Sequence, residues 1–354
     1  MAAVTEPIRN PIVFRVSVAE HSDVSEARRL ARSAAADVGF SEADAERVAI
    51  VATEASTNLV KHAEGGEVIV RTRSGVTGGI LEILAVDRGP GMANLAECLR
   101  DGYTTTGTRG NGLGAIVRQS DGFDAYSRAG RGTVILSRIR GSRVPARDAN
   151  SERRSRIRVD GLSLHKQGEE VCGDSWAWLD NGSRVTILVV DGLGHGLIAA
   201  DAATEAVSAF RDAPETTPAE TLDRIHRALL KTRGAAVSVA QIDAGRGTIA
   251  YAGIGNIAAT VENGGAARHL VSHHGIVGHH IRRVQDFMYP WTQEDVLVMH
   301  SDGVNAHWSF DKYPGLAERD PLVIAAVLLR DFSRGRDDAT VVVARMAADA
   351  SRRP

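Results

Sequence analysis

The chain has 354 residues, more than one hydrophobic core usually supports, so two domains of ordinary size are expected. Hydrophobic residues make up 43% and charged residues 24%, with a net charge of −2, a balance that excludes a disordered or strongly nucleic-acid-binding protein. No apolar stretch reaches the ~20 residues a bilayer requires, and the opening Met1-Ala-Ala-Val-Thr-Glu6 lacks a basic-then-apolar signal, so no membrane, no nucleic acid and a cytoplasmic location are expected. The two cysteines, Cys98 and Cys172, fall one in each expected domain. That spacing argues against a disulfide, two thiols are too few for a Cys-based metal site, and both read as small buried hydrophobes.

In chain order, residues 12–18 alternate like a strand, and Asp23 to Val38 carries apolar residues at helical spacing with Ser22 available as N-cap. Ser41 followed by Asp44 is a capping-box-like start to a helix running to about His62. Strands are expected at 67–72, 80–86, 122–127 and 132–139, the last two joined by the turn-rich Arg128-Ala-Gly-Arg-Gly132. These elements predict an α+β layer, with helices on one face of a mostly antiparallel sheet.

Between Arg138 and Arg158 the hydrophobic period fades and Arg recurs at 140, 143, 147, 153, 154 and 156. Residues 141–156 therefore read as an Arg-rich linker, either a solvated basic tether or a docking patch for an acidic surface. From Ile157 short strands dominate, at 157–164, 171–179, 184–190, 235–242, 247–252, 256–262, 295–300 and 339–345, with helical patterns at about 197–211, 218–232 and 320–331. A run of strands with a few intercalated helices predicts two packed sheets with helices outside. The expected division is thus 1–140, the linker, 157–346 and a tail at 347–354.

Glu54 and Asn58 stand four apart on the second expected helix and so share a face, with Lys61 and His62 a turn later. A carboxylate beside a phosphate and an amide oxygen on its Mg²⁺ suit that geometry, because Mg²⁺ prefers oxygen ligands. Asp87-Arg-Gly-Pro-Gly91 follows a buried-looking strand and offers a carboxylate plus two glycines, Gly89 and Gly91, that let a ligand lie against the backbone. Gly110, Gly112 and Gly114 then precede a predicted helix, where backbone N–H groups and the positive helix end can meet phosphates.

These three segments, Glu54-Ala-Ser-Thr-Asn-Leu-Val-Lys-His62, Asp87-Arg-Gly-Pro-Gly-Met92 and Gly110-Asn-Gly-Leu-Gly-Ala-Ile116, resemble the GHKL ATPase superfamily, specifically the anti-sigma-factor serine kinases of the RsbW/RsbT/SpoIIAB type. The resemblance implies a Bergerat α/β sandwich over 1–140 that binds ATP with Mg²⁺. By the same resemblance Glu54 is the general base, Asn58 binds Mg²⁺, Asp87 recognises the adenine amino group, and the segment with Gly110, Gly112, Leu113 and Gly114 covers the phosphates. With no phosphoacceptor helical hairpin ahead of Glu54, a histidine kinase is not expected. Thr104 to Thr106 either contacts phosphate or forms a polar loop.

In the second segment, Val189-Val-Asp-Gly-Leu-Gly-His-Gly196 places Asp191 at the end of an apolar strand before a glycine-dense turn, Ser301-Asp302-Gly303 repeats the arrangement, and Asp337-Asp338 precedes the last strand. Acidic residues at strand ends can converge in space, and oxygen-only ligands suit Mg²⁺ or Mn²⁺ rather than zinc. With Gly173-Asp174 these boxes resemble, in order, the PPM superfamily of metal-dependent protein phosphatases, most closely its SpoIIE/RsbX branch, over about residues 157–346. The resemblance implies an αββα sandwich holding two Mn²⁺ or Mg²⁺ ions that activate a water and clamp the phosphate for in-line displacement. Carried over by motif, Asp191 bridges both ions, Gly192 donates its carbonyl, Asp302 and Asp337 complete the ligands, Asp174 acts directly or through water, and Asp338 orients its neighbour. His195 either protonates the leaving oxygen or fixes the turn. The His273–His280 stretch is either substrate-facing, merely exposed, or a separate metal site.

The combined resemblance implies a partner-switching regulator whose kinase and phosphatase domains act on one serine or threonine of a STAS-domain anti-sigma-factor antagonist. The alternative is that the first domain only binds nucleotide and sequesters a sigma factor or activator, leaving phosphatase as the sole enzyme activity. Kinases of this type often form homodimers, but no interface is readable in the sequence.

Overall fold

The computed structural model describes residues 12–73, 79–99, 112–142, 156–281 and 283–347. Its described residues form two compact units, one built from 12–142 with Glu318–Arg330 and the other from 156–317 with 331–347. None of the helices among the described residues is long and apolar enough to cross a membrane.

The first unit runs β1 (Ile12–Val18), α1 (His21–Asp37), α2 (Glu42–His62), β2 (Gly66–Arg73), β3 (Ile80–Val86), α3 (Leu95–Cys98), α4 (Gly112–Gln119), β4 (Gly122–Ser127) and β5 (Thr133–Arg140). Its sheet has the order β1-β2-β3-β5-β4, antiparallel throughout. Alanines 27, 31, 34 and 35 form the buried stripe of α1, small enough for the helix to lie close. Val48, Val51, Ala52, Ala55 and Leu59 of α2 pack on Val68, Val70, Ile83 and Ala85 of the sheet. Ser41 caps α2 as expected, its hydroxyl accepting from the Asp44 N–H at 3.2 Å. At α1 the expectation fails by two residues: the helix starts at His21 with Glu20 at the cap, and Ser22 lies inside it. The Asp23 carboxylate decides this, since it reaches back to accept from the Ala19 and Glu20 N–H groups at 2.8 and 3.0 Å.

The second unit runs β6 (Ile157–Leu164), β7 (Asp174–Asp180), β8 (Arg184–Gly192), α5 (Leu197–Arg211), α6 (Pro218–Ala228), β9 (Ala235–Asp243), β10 (Thr248–Ile254), β11 (Ala258–Asn263), β12 (Ala266–His269), β13 (Gly275–Ile276), β14 (His280–Ile281), β15 (Phe287–Pro290) and β16 (Val296–His300), closing with β17 (Ala339–Met346) after an intervening helix, α7 (Pro321–Phe332). Two five-stranded sheets, β15-β10-β9-β8-β7 and β12-β11-β16-β17-β6, enclose a core that includes Ile187, Val189, Tyr251, Leu297, Met299 and Val342. On the outer side of the first sheet, Leu188, Val190, Val237 and Val239 pack against Ala202, Ala206 and Phe210 of α5 and Leu222 and Ile225 of α6. Burial on both faces explains why β8 reads as an unbroken apolar run rather than an alternation. The helix expected at 218–232 ends at Ala228 and tightens into a 3₁₀ turn at Leu229–Lys231. Both cysteines are half-buried thiols rather than the buried hydrophobes expected of them.

Residues Pro321 to Arg330 of α7 are all buried, and Glu318–Arg330 belongs to the first unit although it follows the second segment's strands in sequence. Its start is fixed where the Arg138 guanidinium donates to both Asp320 oxygens at 2.6 and 2.8 Å and the Asp320 N–H donates to Asp124 at 2.6 Å. Its end is fixed where Arg330 donates to the Asp87 carbonyl at 3.2 Å and Arg88 donates to the Arg330 carbonyl. Arg138 also reaches Glu82 at 2.7 Å, and fully buried Arg71 holds the other Glu82 oxygen at 2.6 Å. These side chains alternate with core-facing Ile83, Ala125, Ile135 and Ile139, so α7 is tied to the sheet face opposite α1 and α2.

Candidate active sites

In the first unit α2 carries Glu54 and Asn58 on one face, and α4 begins directly against them: a Cβ added at Gly112 would stand 3.2 Å from Glu54 Oε2 and 3.1 Å from Asn58 Oδ1. The absence of a side chain at Gly112 therefore keeps open the space above the carboxylate and amide. Asn58 Nδ2 is buried without a partner among the described residues, which leaves a buried donor open to an acceptor. Asp87, at the end of β3, accepts from the Gly89 and Thr133 N–H groups through Oδ1 at 2.8 and 3.1 Å. Among the described residues no donor reaches its Oδ2, which leaves one oxygen to accept from an exocyclic amine. Burial pushes the Asp87 carboxyl above its usual range, against the pull of the Gly89 and Thr133 amides and of Arg330.

Gly89 and Gly91 do not simply line this site; they let its walls meet. A Cβ at Gly89 would lie 2.6 Å from Ala63 Cα, and Gly91, at φ +66°, would place one 2.1 Å from the Arg128 carbonyl oxygen. Leu113 packs on the helix-side core and Gly114 is buried on α4. Lys61 and His62 are exposed on the last turn of α2. Gly110 and Thr104 to Thr106 lie outside the described residues, as does most of the Arg-rich linker.

In the second unit Asp174 opens β7 and Asp191 is the penultimate residue of β8, and the two are direct partners across that antiparallel pair. Asp302 follows β16 and Asp337 precedes β17, neighbours in the other sheet. Ser301 joins the sheets, its hydroxyl donating to Asp174 Oδ2 at 2.6 Å. Glycines allow the approach: a Cβ at Gly303 would be 1.9 Å from the Asp338 carbonyl oxygen, and one at Gly192 2.3 Å from that of Ala199. Asp338 accepts from the Lys166 and Gly173 N–H groups, both at 2.8 Å, so it holds the Gly173-Asp174 turn rather than offering free oxygens.

The electrostatics are those of carboxylates gathered without compensating charge. Burial first, then the charges of Asp302, Asp337 and Asp338, push Asp191 up to about 7, and burial followed by Asp191 pushes Asp174 well up. As placed, no three His, Cys, Asp or Glu side chains among the described residues form a ready cage for one ion. The mutual repulsion and the all-oxygen donor set nonetheless fit hard divalent cations, whose charge would remove the penalty. Asp174, Asp191, Asp302, Asp337 and the Gly192 carbonyl are the groups that could hold them.

Residues 18–139 match the family of histidine kinase-like ATPase domains, and residues 181–347 match the stage II sporulation protein E (SpoIIE) family. Over 113 residues the chain is 33% identical to the serine/threonine-protein kinase RsbT of Bacillus subtilis (strain 168), a span of 32% of this chain and 85% of that protein. The chain belongs to the RsbT-like kinases and carries a SpoIIE-type serine/threonine phosphatase domain. It is also 23% identical over 159 residues to the phosphoserine phosphatase RsbX of the same organism, covering 44% of this chain and 78% of that one. Among solved structures, RsbX in complex with magnesium is similar at a TM-score of 0.47 and 19% identity, covering 55% of this chain and 98% of that chain.

Two residues of the SpoIIE-type domain escaped the sequence reading. Asn256 donates to Asp302 Oδ2 at 2.6 Å from the turn between β10 and β11, where Gly255 at φ +102° is the one visible signal. Glu169 Oε1 stands 2.6 Å from His195 Nδ1; no spacing rule links a loop carboxylate to a histidine 26 residues on. Of the His273–His280 stretch, His273 meets Phe287 at a tilt with ring centroids 5.5 Å apart and its buried Nε2 has no partner among the described residues, while His274, His279 and His280 are exposed.

Proposed function

We propose that the protein is a partner-switching regulator in which the RsbT-like domain phosphorylates, and the SpoIIE-type domain dephosphorylates, a serine or threonine of a STAS-domain anti-sigma-factor antagonist. The observation that carries this reading is the presence in one chain of two prepared sites: Glu54 and Asn58 beneath Gly112, and the repelling Asp174–Asp191–Asp302–Asp337 cluster. RsbT is a serine/threonine-protein kinase and RsbX a phosphoserine phosphatase, which supports reading the two halves as opposite directions of one phosphoryl chemistry.

In the kinase half Glu54 would accept the proton of the attacking hydroxyl, Asn58 would hold the Mg²⁺ that accompanies ATP, and Asp87 would accept from the adenine amine. In the phosphatase half the four aspartates and the Gly192 carbonyl would hold Mn²⁺ or Mg²⁺. When bound, the cations supply the positive charge that the carboxylates lack and the Lewis acidity that turns water into a nucleophile toward phosphorus. Glu169 fixes the orientation of His195, whose other nitrogen then faces away from the pair and can return a proton to the departing serine oxygen.

The test is incubation of the full chain with a STAS-domain protein, ATP and Mg²⁺ or Mn²⁺, and separately with the phosphorylated form. Glu54→Ala should abolish phosphate transfer and leave release, whereas Asp191→Ala should do the reverse. Retained partner binding without any transfer by the unaltered protein would leave the first domain as a binding module. Release unaffected by Asp191→Ala would refute the metal assignment.

A further inference from the structure

Beside the carboxylate cluster the second unit carries an open cavity of ≈810 Å³, lined by Leu193, Ile198, Lys231, Arg233 and His279, with Asp201 as the one carboxylate of its wall. The wall begins one residue beyond Gly192: the Leu193 N–H donates to the Gly234 carbonyl at 3.0 Å, locking the turn after the metal ligand to the turn that enters β9. A segment whose phosphate sits on the aspartates therefore meets this wall next.

Two further observations say what the cavity takes. Leu193, Leu197, Ile198 and Leu230 are 39%, 69%, 51% and 57% exposed, four of the eight large apolar side chains exposed among the described residues, and all lie on the Asp191–α5 turn, the first turn of α5 or the 3₁₀ turn that packs on α5. Apolar side chains gathered on one rim and edged with charge mark a surface made to be covered. Lys231 and Arg233 are exposed and form no ion pair among the described residues, so cations outnumber the single wall carboxylate.

We propose that this cavity seats the residues flanking the phosphoserine of the substrate, and that it selects flanks carrying a leucine-sized apolar side chain and carboxylates. The proposal rests on the phosphatase reading above. Leu193 and Ile198 give the apolar contact, and the exposed Lys231 and Arg233 pair with the acidic flank.

The experiment uses the full chain with Mn²⁺ and three substrates: p-nitrophenyl phosphate, a phosphoserine peptide with Leu and Glu flanks, and one with Gly and Lys flanks. We expect kcat/KM at least about tenfold higher for the Leu/Glu peptide, a factor equal to about 1.4 kcal/mol, falling as salt is raised because the pairs are near the surface. The double variant Lys231→Glu, Arg233→Glu should reverse that preference, chiefly through KM, and should lower peptide hydrolysis about tenfold more than p-nitrophenyl phosphate hydrolysis. Equal rates for the two peptides with the unaltered protein, at any salt, overturn the proposal without needing a variant to fold. If Leu197→Glu converts a dimer to a monomer in sedimentation while peptide KM stays put, the face is a self-association surface and the proposal fails. Absence of p-nitrophenyl phosphate hydrolysis by the unaltered protein refutes the phosphatase reading itself.

Discussion

The Ser301 hydroxyl and the Asp174 carboxylate, 2.6 Å apart, join the ends of the two sheets at the point where the acidic cluster forms. Ser301 comes from the sheet of Asp302, and Asp174 from that of Asp191, so this hydrogen bond sets how the two pairs of carboxylates face one another. Ser301→Ala should keep the fold and raise the Mn²⁺ concentration for half-maximal phosphatase activity by about 10-fold, the scale seen when a partner that orients a metal ligand is lost. Metal titration of activity checks this, and an unaltered titration curve would show that Asp174 does not depend on Ser301.

Gly303 is held to glycine by contact rather than by its backbone angle, since any Cβ there collides with the Asp338 carbonyl oxygen at 1.9 Å. Gly303→Ala must push apart the turns bearing Asp302 and Asp337. We expect a stability loss of about 1–3 kcal/mol from overpacking and a phosphatase defect not restored by excess Mn²⁺, measured by denaturant melts and metal-saturated assays.

Asp191 predicts a pH-dependent metal effect. Its carboxyl, pushed up to about 7 in the fold against a usual 3.8, is neutral when folded at pH 6 and charged when folded at pH 8. A raised folded value means the contribution is present below 3.8 and is lost as pH rises through about 7, so the metal-free protein should weaken across that range. Divalent cations cancel this cost, and thermal melts should show a larger Mn²⁺-induced shift at pH 8 than at pH 6. The reverse order would place the cation elsewhere.

Glu82 carries the opposite sign. Burial raises its carboxyl, but Arg71, Arg73 and Arg138 outweigh this and hold it at about 2 instead of 4.5. Stability from this group is complete above 4.5 and is lost as pH falls toward 2, an amount on the order of 3 kcal/mol. Glu82→Gln leaves Arg71 buried beside a neutral amide and should cost about 3–5 kcal/mol at pH 7. The gap between the two proteins should narrow as acid is added below pH 4.5, which denaturant titrations at several pH values measure.

For His195 the leaving group is the discriminator. His195→Asn should slow release from a phosphoserine peptide by about 10²-fold, as expected for loss of a general acid. p-Nitrophenolate departs without a proton, so hydrolysis of its phosphate should fall far less. Glu169→Gln should follow the same pattern more weakly, because the 2.6 Å contact only orients the ring.

The strand-end aspartates were legible in the sequence because each sits after an apolar run or before one, and such runs announce strands whatever their partners. Ser41 was legible for a similar reason: its cap is made within four residues. Glu169 and Asn256 were not, since their partners His195 and Asp302 are brought near only by tertiary packing. Ser22 misled because a stronger acceptor, Asp23, stood next to it. The helix at 320–331 was visible as an element, yet a sequence apolar on all sides, Pro321-Leu-Val-Ile-Ala-Ala-Val-Leu-Leu329, carries no stripe that says which sheet it serves.

That helix limits how the protein can be dissected. In linear order the kinase and the phosphatase look like two interchangeable cassettes separable at the linker. Because Glu318–Arg330 completes the first unit, a fragment ending before residue 156 lacks Asp320, which bonds to both Arg138 and Asp124, and a fragment starting there carries a stranded apolar helix. Neither half inherits its full complement of residues, so the modularity implied by the motifs does not extend to physical autonomy, and swapping one half between relatives would exchange part of the other.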